Sequence, residues 1–221
     1  MRLAYFDLDK TILAVNSGSL WVRREVALGH LSKRKALRAA SWLLTYTMGF
    51  ASADSMVEEA VATLRGTSSN ELRERTTRFF HEQVRQTYRS GALHAIERHR
   101  AAGDRLIMLT SSTNYLAELV ADELRFDAVC ANELEVDALG LHTGQVVGGL
   151  CFGPGKLRHA TRAAQKFGGD VKSAAFYTDS FSDVAVMEVV AQPVAVNPDP
   201  RLKRRAQQRG WQIVDWGSYA G

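Results

Sequence analysis

Hydrophobic and polar positions fall in blocks along this chain rather than alternating residue by residue. Three short apolar runs share one grammar: "LAYF" leads into Asp7, "RLIML" into Thr110, and "SAAFY" into Thr178 and Asp179. Each is the length of one buried strand and stops at small polar or acidic residues. A fourth run, "PVAVN", ends at Asn197. Helix-period patterns follow, at 114–125 and 181–191 among others. Strands alternating with helices predict an α/β fold: a Rossmann-like parallel sheet with right-handed crossovers and helices on both faces. Ligands bind such sheets beyond the carboxyl ends of the strands. Asp7, Asp9, Thr110, Asp179 and Asp183 are therefore expected along one rim.

Residues 15–88 follow a different pattern, with helical segments and no convincing strand. "SLWVRREVALG" stops at Gly29, "KRKALRAASWLLTYTMG" at Gly49 and "ADSMVEEAVATLRG" at Gly66, each a glycine suited to ending a helix. "SSNELRERTTRFFHEQVRQTY" is the longest. This stretch is expected to form a helical cap inserted after the first strand, leaving 1–14 and 89–221 as the core. Residues 132–152 predict a β-hairpin with a glycine-containing turn.

A length of 221 residues suits one domain with an insertion. The net charge of +4 is too small to imply nucleic acid but is compatible with anionic substrates. Cys130 and Cys151 lack metal-ligand spacing and are expected as reduced core residues. The first ten residues carry two aspartates and no long apolar region, so a cytoplasmic location is the expectation. Arg23, Arg24, Lys33, Arg34, Lys35 and Arg38 face only Glu25 in the segment 21–38, and an apolar stretch follows. A solvated helix face or a surface for anionic substrates or membrane headgroups both fit.

The rim residues suggest a chemistry. A carboxylate can accept a phosphoryl group if a cation masks the repulsion between the two, and Mg²⁺ prefers such oxygen ligands. Asp9 could curl back to act as acid and base. The hydroxyl of Thr110 and nearby backbone N–H groups can hold phosphate oxygens. Lys156, in "GPGKLRHA", lies near a predicted helix start and can neutralise both partners.

Asp7-Leu8-Asp9-Lys10-Thr11, Leu109-Thr110-Ser111, Gly155-Lys156 and Asp179-Ser180-Phe181-Ser182-Asp183, in that order, resemble the haloacid dehalogenase superfamily. The likeness is to its phosphoserine-phosphatase-like branch, subfamily IB, which carries a helical cap. The resemblance implies a Mg²⁺-dependent phosphatase working through an aspartyl-phosphate. It implies Asp7 as nucleophile and Asp9 as acid/base. Thr110, Ser111, Lys156 and Ser182 would bind phosphate. Asp7, Asp179, Asp183 and the backbone carbonyl of Asp9 would hold the metal. Two positions depart from the branch: Asn16 stands where a glutamate grips the ammonium of phosphoserine, and Ser182 where an asparagine is frequent. The expected substrate is thus a small organic phosphate. A lipid phosphate such as phosphatidylglycerophosphate is the alternative, and a non-catalytic phosphate-binding regulatory module a third reading. Oligomeric state is not legible in the chain.

Overall fold

Four consecutive apolar residues make β1 (Leu3–Phe6), and all four side chains are buried. A strand covered on both faces has to sit inside a sheet, and β1 does. The computed structural model describes residues 2–30, 58 and 60–217. After β1 come α1 (Ser17–Ala27), α2 (Ser69–Phe79), α3 (Ser90–Ala101), β2 (Arg105–Thr113), α4 (Asn114–Glu123) and β3 (Ala128–Asn132). A hairpin of β4 (Leu134–Val136) and β5 (His142–Val146) follows, then α5 (Pro154–Lys166) and β6 (Ala175–Thr178). The chain ends with α6 (Val184–Met187), β7 (Gln192–Val196), α7 (Pro200–Arg209) and β8 (Gln212–Val214).

The main sheet is six-stranded and parallel, in the order β3-β2-β1-β6-β7-β8. The order reverses between β1 and β6, so the chain diverges there and leaves a crevice at the strands' carboxyl ends. Helices α3 and α4 cover one face, packing Ala92, Ile96, Leu116 and Val120 against Phe6, Met108 and Tyr177. Helices α5, α6 and α7 cover the other, packing Ala160, Ala164, Val186 and Leu202 against Tyr5, Leu109 and Phe176. The Tyr5 hydroxyl donates to the Ala160 carbonyl at 2.8 Å, tying α5 to the central strand.

Three sequence expectations are refined. The helix expected over 181–191 is a tight turn, Phe181–Asp183, and the short α6. Asp183 must turn inward to reach its buried partners, which tightens the backbone there. The long pattern over 68–88 gives α2, then a wide turn at Phe80–Val84 and a tight one at Arg85–Thr87. Phe79, Phe80 and Val84 all require burial, which one straight helix face does not provide. The edge strands β3 and β8 are additions: β3 is a short run, mostly only half-buried, and two of the three residues of β8 are exposed.

Leu13 and Tyr88 form an antiparallel bridge, with Ala14 N–H donating to the Thr87 carbonyl at 2.8 Å and Arg89 N–H to that of Ile12 at 2.9 Å. The intervening segment therefore leaves and re-enters the sheet at one place. Its described end also meets the hairpin. Gly66 N–H donates to His142 O, His142 N–H to Thr67 O, and Ser69 N–H to Gly140 O, at 2.8 to 2.9 Å. Lys33, Arg34, Lys35, Arg38 and the apolar stretch after them lie outside the described residues.

Near the C-terminus, the Trp216 ring lies 5.4 Å from that of Tyr177 and covers Gly91. A Cβ added at Gly91 would come within 2.4 Å of the indole. Gly91→Ala is expected to displace Trp216 and destabilise the protein by about 1–3 kcal/mol. In a Trp216→Ala background the same change should be neutral or stabilising by up to ~1 kcal/mol, as alanine favours helix. A double-mutant cycle by urea denaturation measures this; equal costs in both backgrounds would refute the contact.

Candidate active site

β1 and β6 deliver aspartates to the crevice from neighbouring strand ends. Asp7 N–H donates to the Tyr177 carbonyl at 2.9 Å, extending the β1–β6 pairing by one bond and setting the direction of the Asp7 side chain. The chain then makes one wide turn, Leu8–Ile12, in which Asp9 is extended and Lys10 adopts a left-handed conformation at φ 55°. That conformation disfavours a residue with a Cβ, and it is held by Lys10 N–H to Val15 O at 3.0 Å and Arg89 Nε to Lys10 O at 3.3 Å.

α5 brings the lysine. Its start packs so closely on the preceding loop that a Cβ at Gly155 would lie 2.1 Å from the Leu150 carbonyl oxygen. This close approach seats Lys156, which is only 2% exposed. Its Nζ donates to Asp7 Oδ1 and to Asp183 Oδ2, each at 2.7 Å. The Thr178 hydroxyl also donates to Asp183 Oδ2, at 2.7 Å. Burial works against the lysine's charge, but Asp183 and Asp7 outweigh it and hold the pKa above the ordinary range.

The remaining acids surround this pair. Asp9 Oδ1 accepts from Ser17 N–H, at the start of α1, at 2.7 Å. Its pKa is raised by burial, against the pull of the Ser17 hydrogen bonds. Asp7 is pushed up to about 7, by burial first, with Lys156 opposing and Asp183 adding to the rise. Asp179 is pushed up to about 8, by burial and then by the charge of Asp7, while Lys10 pulls it down. Burial and neighbouring charge set the Asp179 shift. The main chain of Asp179 is fixed: its carbonyl accepts from Asp199 N–H at 2.8 Å, and Asp199 Oδ2 accepts from Phe181 N–H at 2.6 Å.

The expected phosphate-binding residues divide. Lys156 is at the centre. Thr110 is buried within β2, where its apolar run stops, and accepts from Ser112 N–H at 3.1 Å, which leaves its own proton free to donate. The Ser111 carbonyl accepts from Asn132 Nδ2 at 2.7 Å. Ser182 turns toward its own loop, 3.0 Å from Ser180 Oγ and 3.4 Å from Asp183 Oδ1. Lys10, Asn132, Thr178 and Asp199 were not anticipated. Asn132 and Asp199 act through backbone atoms of distant loops, a role without a local sequence signature.

The donors fit a hard cation. Asp7, Asp9, Asp179 and Asp183 crowd one buried ammonium, and three of them have raised pKa values. Only oxygen ligands are present, as Mg²⁺ prefers. No three His, Cys, Asp or Glu side chains form a ready cluster among the described residues. Lys156 occupies one oxygen each of Asp7 and Asp183. A separate cavity of about 760 Å³ opens at the opposite edge of the sheet, between Arg2, Arg98, His99, Tyr177 and Trp211. His99 there engages Asp104 and Tyr177 through both ring nitrogens, so it offers no free base.

The family model for haloacid dehalogenase-like hydrolases matches residues 4–188. The chain belongs to that family. Curated relatives align along nearly its whole length. An inhibition of morphological differentiation protein from Streptomyces azureus is 31% identical, over 96% of this chain and 78% of that protein. A histidinol-phosphatase from Neisseria meningitidis is 25% identical, over 97% of this chain and 99% of that protein. A phosphoserine phosphatase from Mycobacterium tuberculosis is 28% identical, over 96% and 70%. A solved structure of a protein of unknown function from Bordetella pertussis has a TM-score of 0.89 at 28% identity, covering 98% of this chain and 99% of that one. A phosphoserine phosphatase carrying a phospho-aspartyl analogue shares the fold, with a TM-score of 0.69 at 17% identity over 99% and 94%.

The raised carboxylates make a pH prediction. Folded Asp7 and Asp179 hold protons that the unfolded chain releases near the ordinary carboxylate value of 3.8. Their contribution to stability is full below that value and is lost as pH rises through about 7 and 8. A cation bound there would replace those protons, so Mg²⁺ should raise Tm more at about pH 8 than at about pH 5. Thermal denaturation of chelator-treated protein with and without Mg²⁺ checks this. An equal rise at both pH values would contradict the assignment of the carboxylates to the cation.

Proposed function

We propose that the protein is a Mg²⁺-dependent phosphomonoesterase that forms a phosphoryl-enzyme on Asp7. The observation that carries the reading is the buried Lys156 ammonium shared by Asp7 and Asp183 beside Asp9 and Asp179, at the strand ends where the sheet order reverses. Residues 15–88 act as the cap over this rim.

The roles follow from position. Lys156 holds one oxygen of Asp7 and offsets charge as a phosphate approaches. The free oxygen of Asp7 forms a bond to phosphorus while the ester P–O bond breaks. Asp9, whose raised pKa favours a carboxylic acid, gives its proton to the departing alkoxide. The Asp9 carboxylate then takes a proton from water as the water oxygen bonds to phosphorus and the Asp7–phosphorus bond breaks, releasing inorganic phosphate. Thr110 donates its hydroxyl proton to a phosphate oxygen, and the backbone at Ser111 lines the same pocket. The carboxylates of Asp7, Asp179 and Asp183 with the Asp9 carbonyl would hold Mg²⁺, which when bound supplies positive charge against the phosphate.

The substrate is a small phosphomonoester. The neisserial relative, named a histidinol-phosphatase, matches end to end and supports this class. Asn16 accepts from Ser19 N–H at 2.8 Å as the cap of α1 and brings no negative charge for an ammonium. Phosphoserine and histidinol phosphate both carry an ammonium, so Asn16 ranks neither above the other. A panel of phosphorylated metabolites and lipids, assayed for phosphate release with Mg²⁺ and with EDTA, tests the reading. Release from soluble monoesters only with Mg²⁺ is the expected result, and absence of release from every compound would overturn it.

Two variants sharpen the test. Asp7→Asn should abolish turnover while circular dichroism still shows a folded protein. Asp9→Asn should lower kcat by ~10²–10⁴-fold, the usual range for a lost acid–base group. Normal phosphate release by folded Asp7→Asn protein would remove Asp7 from its role.

A further inference from the structure

The β2–β3 ladder is regular from Ile107 to Leu109, then shifts register before Thr113 meets Asn132. Across that gap lie Thr110, Ser111 and Ser112. The Asn132 side chain bridges it. Asn132 is 1% exposed, and its two amide ends are both occupied. Nδ2 donates to the Ser111 carbonyl at 2.7 Å, and Oδ1 accepts from Cys151 N–H at 2.9 Å.

Both bonds lead toward the candidate site. The Ser111 carbonyl and the Ser112 N–H belong to one peptide group, and that N–H donates to the Thr110 hydroxyl oxygen. Fixing the carbonyl therefore fixes the plane of the peptide, the acceptor role of the Thr110 oxygen and the direction left for its proton. On the other side, Cys151 opens the loop that turns into α5. Phe152 O accepts from Gly155 N–H at 2.8 Å and Gly153 O from Lys156 N–H at 3.1 Å, so the loop is stiff from Cys151 to the lysine. A single planar amide spans the two segments that carry Thr110 and Lys156. We infer that Asn132 is a positioning residue that presets these two groups for an anion. This rests on the phosphatase reading above.

The test uses p-nitrophenyl phosphate as substrate and inorganic phosphate as competitive inhibitor, with Mg²⁺ present. Asn132→Ala and Asn132→Leu remove both bonds. Asn132→Asp keeps the volume and the acceptor to Cys151 but places an oxygen against the Ser111 carbonyl. Each variant is expected to raise KM and the phosphate Ki together by about 10-fold, the factor matching one or two lost hydrogen bonds. Should the two apolar variants fail to fold, Asn132→Asp gives the result, since its size is unchanged. Variants with wild-type KM and phosphate Ki, losing only Tm, would reduce Asn132 to a structural residue and overturn the inference. Wild-type protein that neither hydrolyses the ester nor binds phosphate would instead overturn the phosphatase reading, and the inference with it.

Discussion

The Lys156 ammonium held between Asp7 and Asp183 is the constraint around which the rest is arranged. Burying a lysine costs several kcal/mol of hydration, so a fold keeps one only where fixed oxygens compensate. The compensation comes from two strands and their loops: Asp7 after β1 and Asp183 after β6, with the Thr178 hydroxyl bracing Asp183. The parallel order sets these strand ends side by side, and the Tyr5–Ala160 bond and the contact at Gly155 press α5 into reach. Removing one carboxylate would strand the charge. Removing the lysine would leave a nest of acids with nothing to oppose them.

The same arithmetic explains why the site is unbalanced. One ammonium does not neutralise four neighbouring carboxylates; burial raises the pKa values of Asp7, Asp9 and Asp179, and repulsion between carboxylates adds to the rise at Asp7 and Asp179. Such an excess destabilises the protein unless protons or a cation relieve it. A site that stores repulsion in this way is primed to take up positive charge and, once charged, to receive an anion.

Much of this was legible in the chain. Asp7, Thr110 and Asp179 stand where apolar runs stop, and a parallel sheet necessarily collects such positions at one rim. Gly155-Lys156 was readable as a turn entering a helix. The failures have a common origin. The helix expected over 181–191 is short because Asp183 turns inward to a partner 27 residues away in the chain. Asn132 and Asp199 stabilise backbone atoms of remote loops, and no local spacing encodes such a bond. Lys10 has a left-handed backbone that propensity assigns to glycine. β8 escaped notice because two of its three residues are exposed and no apolar run marks it.

The stitching between the hairpin and the inserted segment bears on how this architecture can be rearranged. Gly66, Thr67 and Ser69 pair through their backbones with Gly140 and His142, and the hairpin is closed at its root by Val147 N–H on the Glu133 carbonyl. The insertion is thus not a free module spliced between Leu13 and Tyr88. Residues 66–69 and the hairpin are fitted to one another, although more than sixty residues separate them in the chain. A chimera that imports a foreign insertion has to bring residues 133–147 along with it.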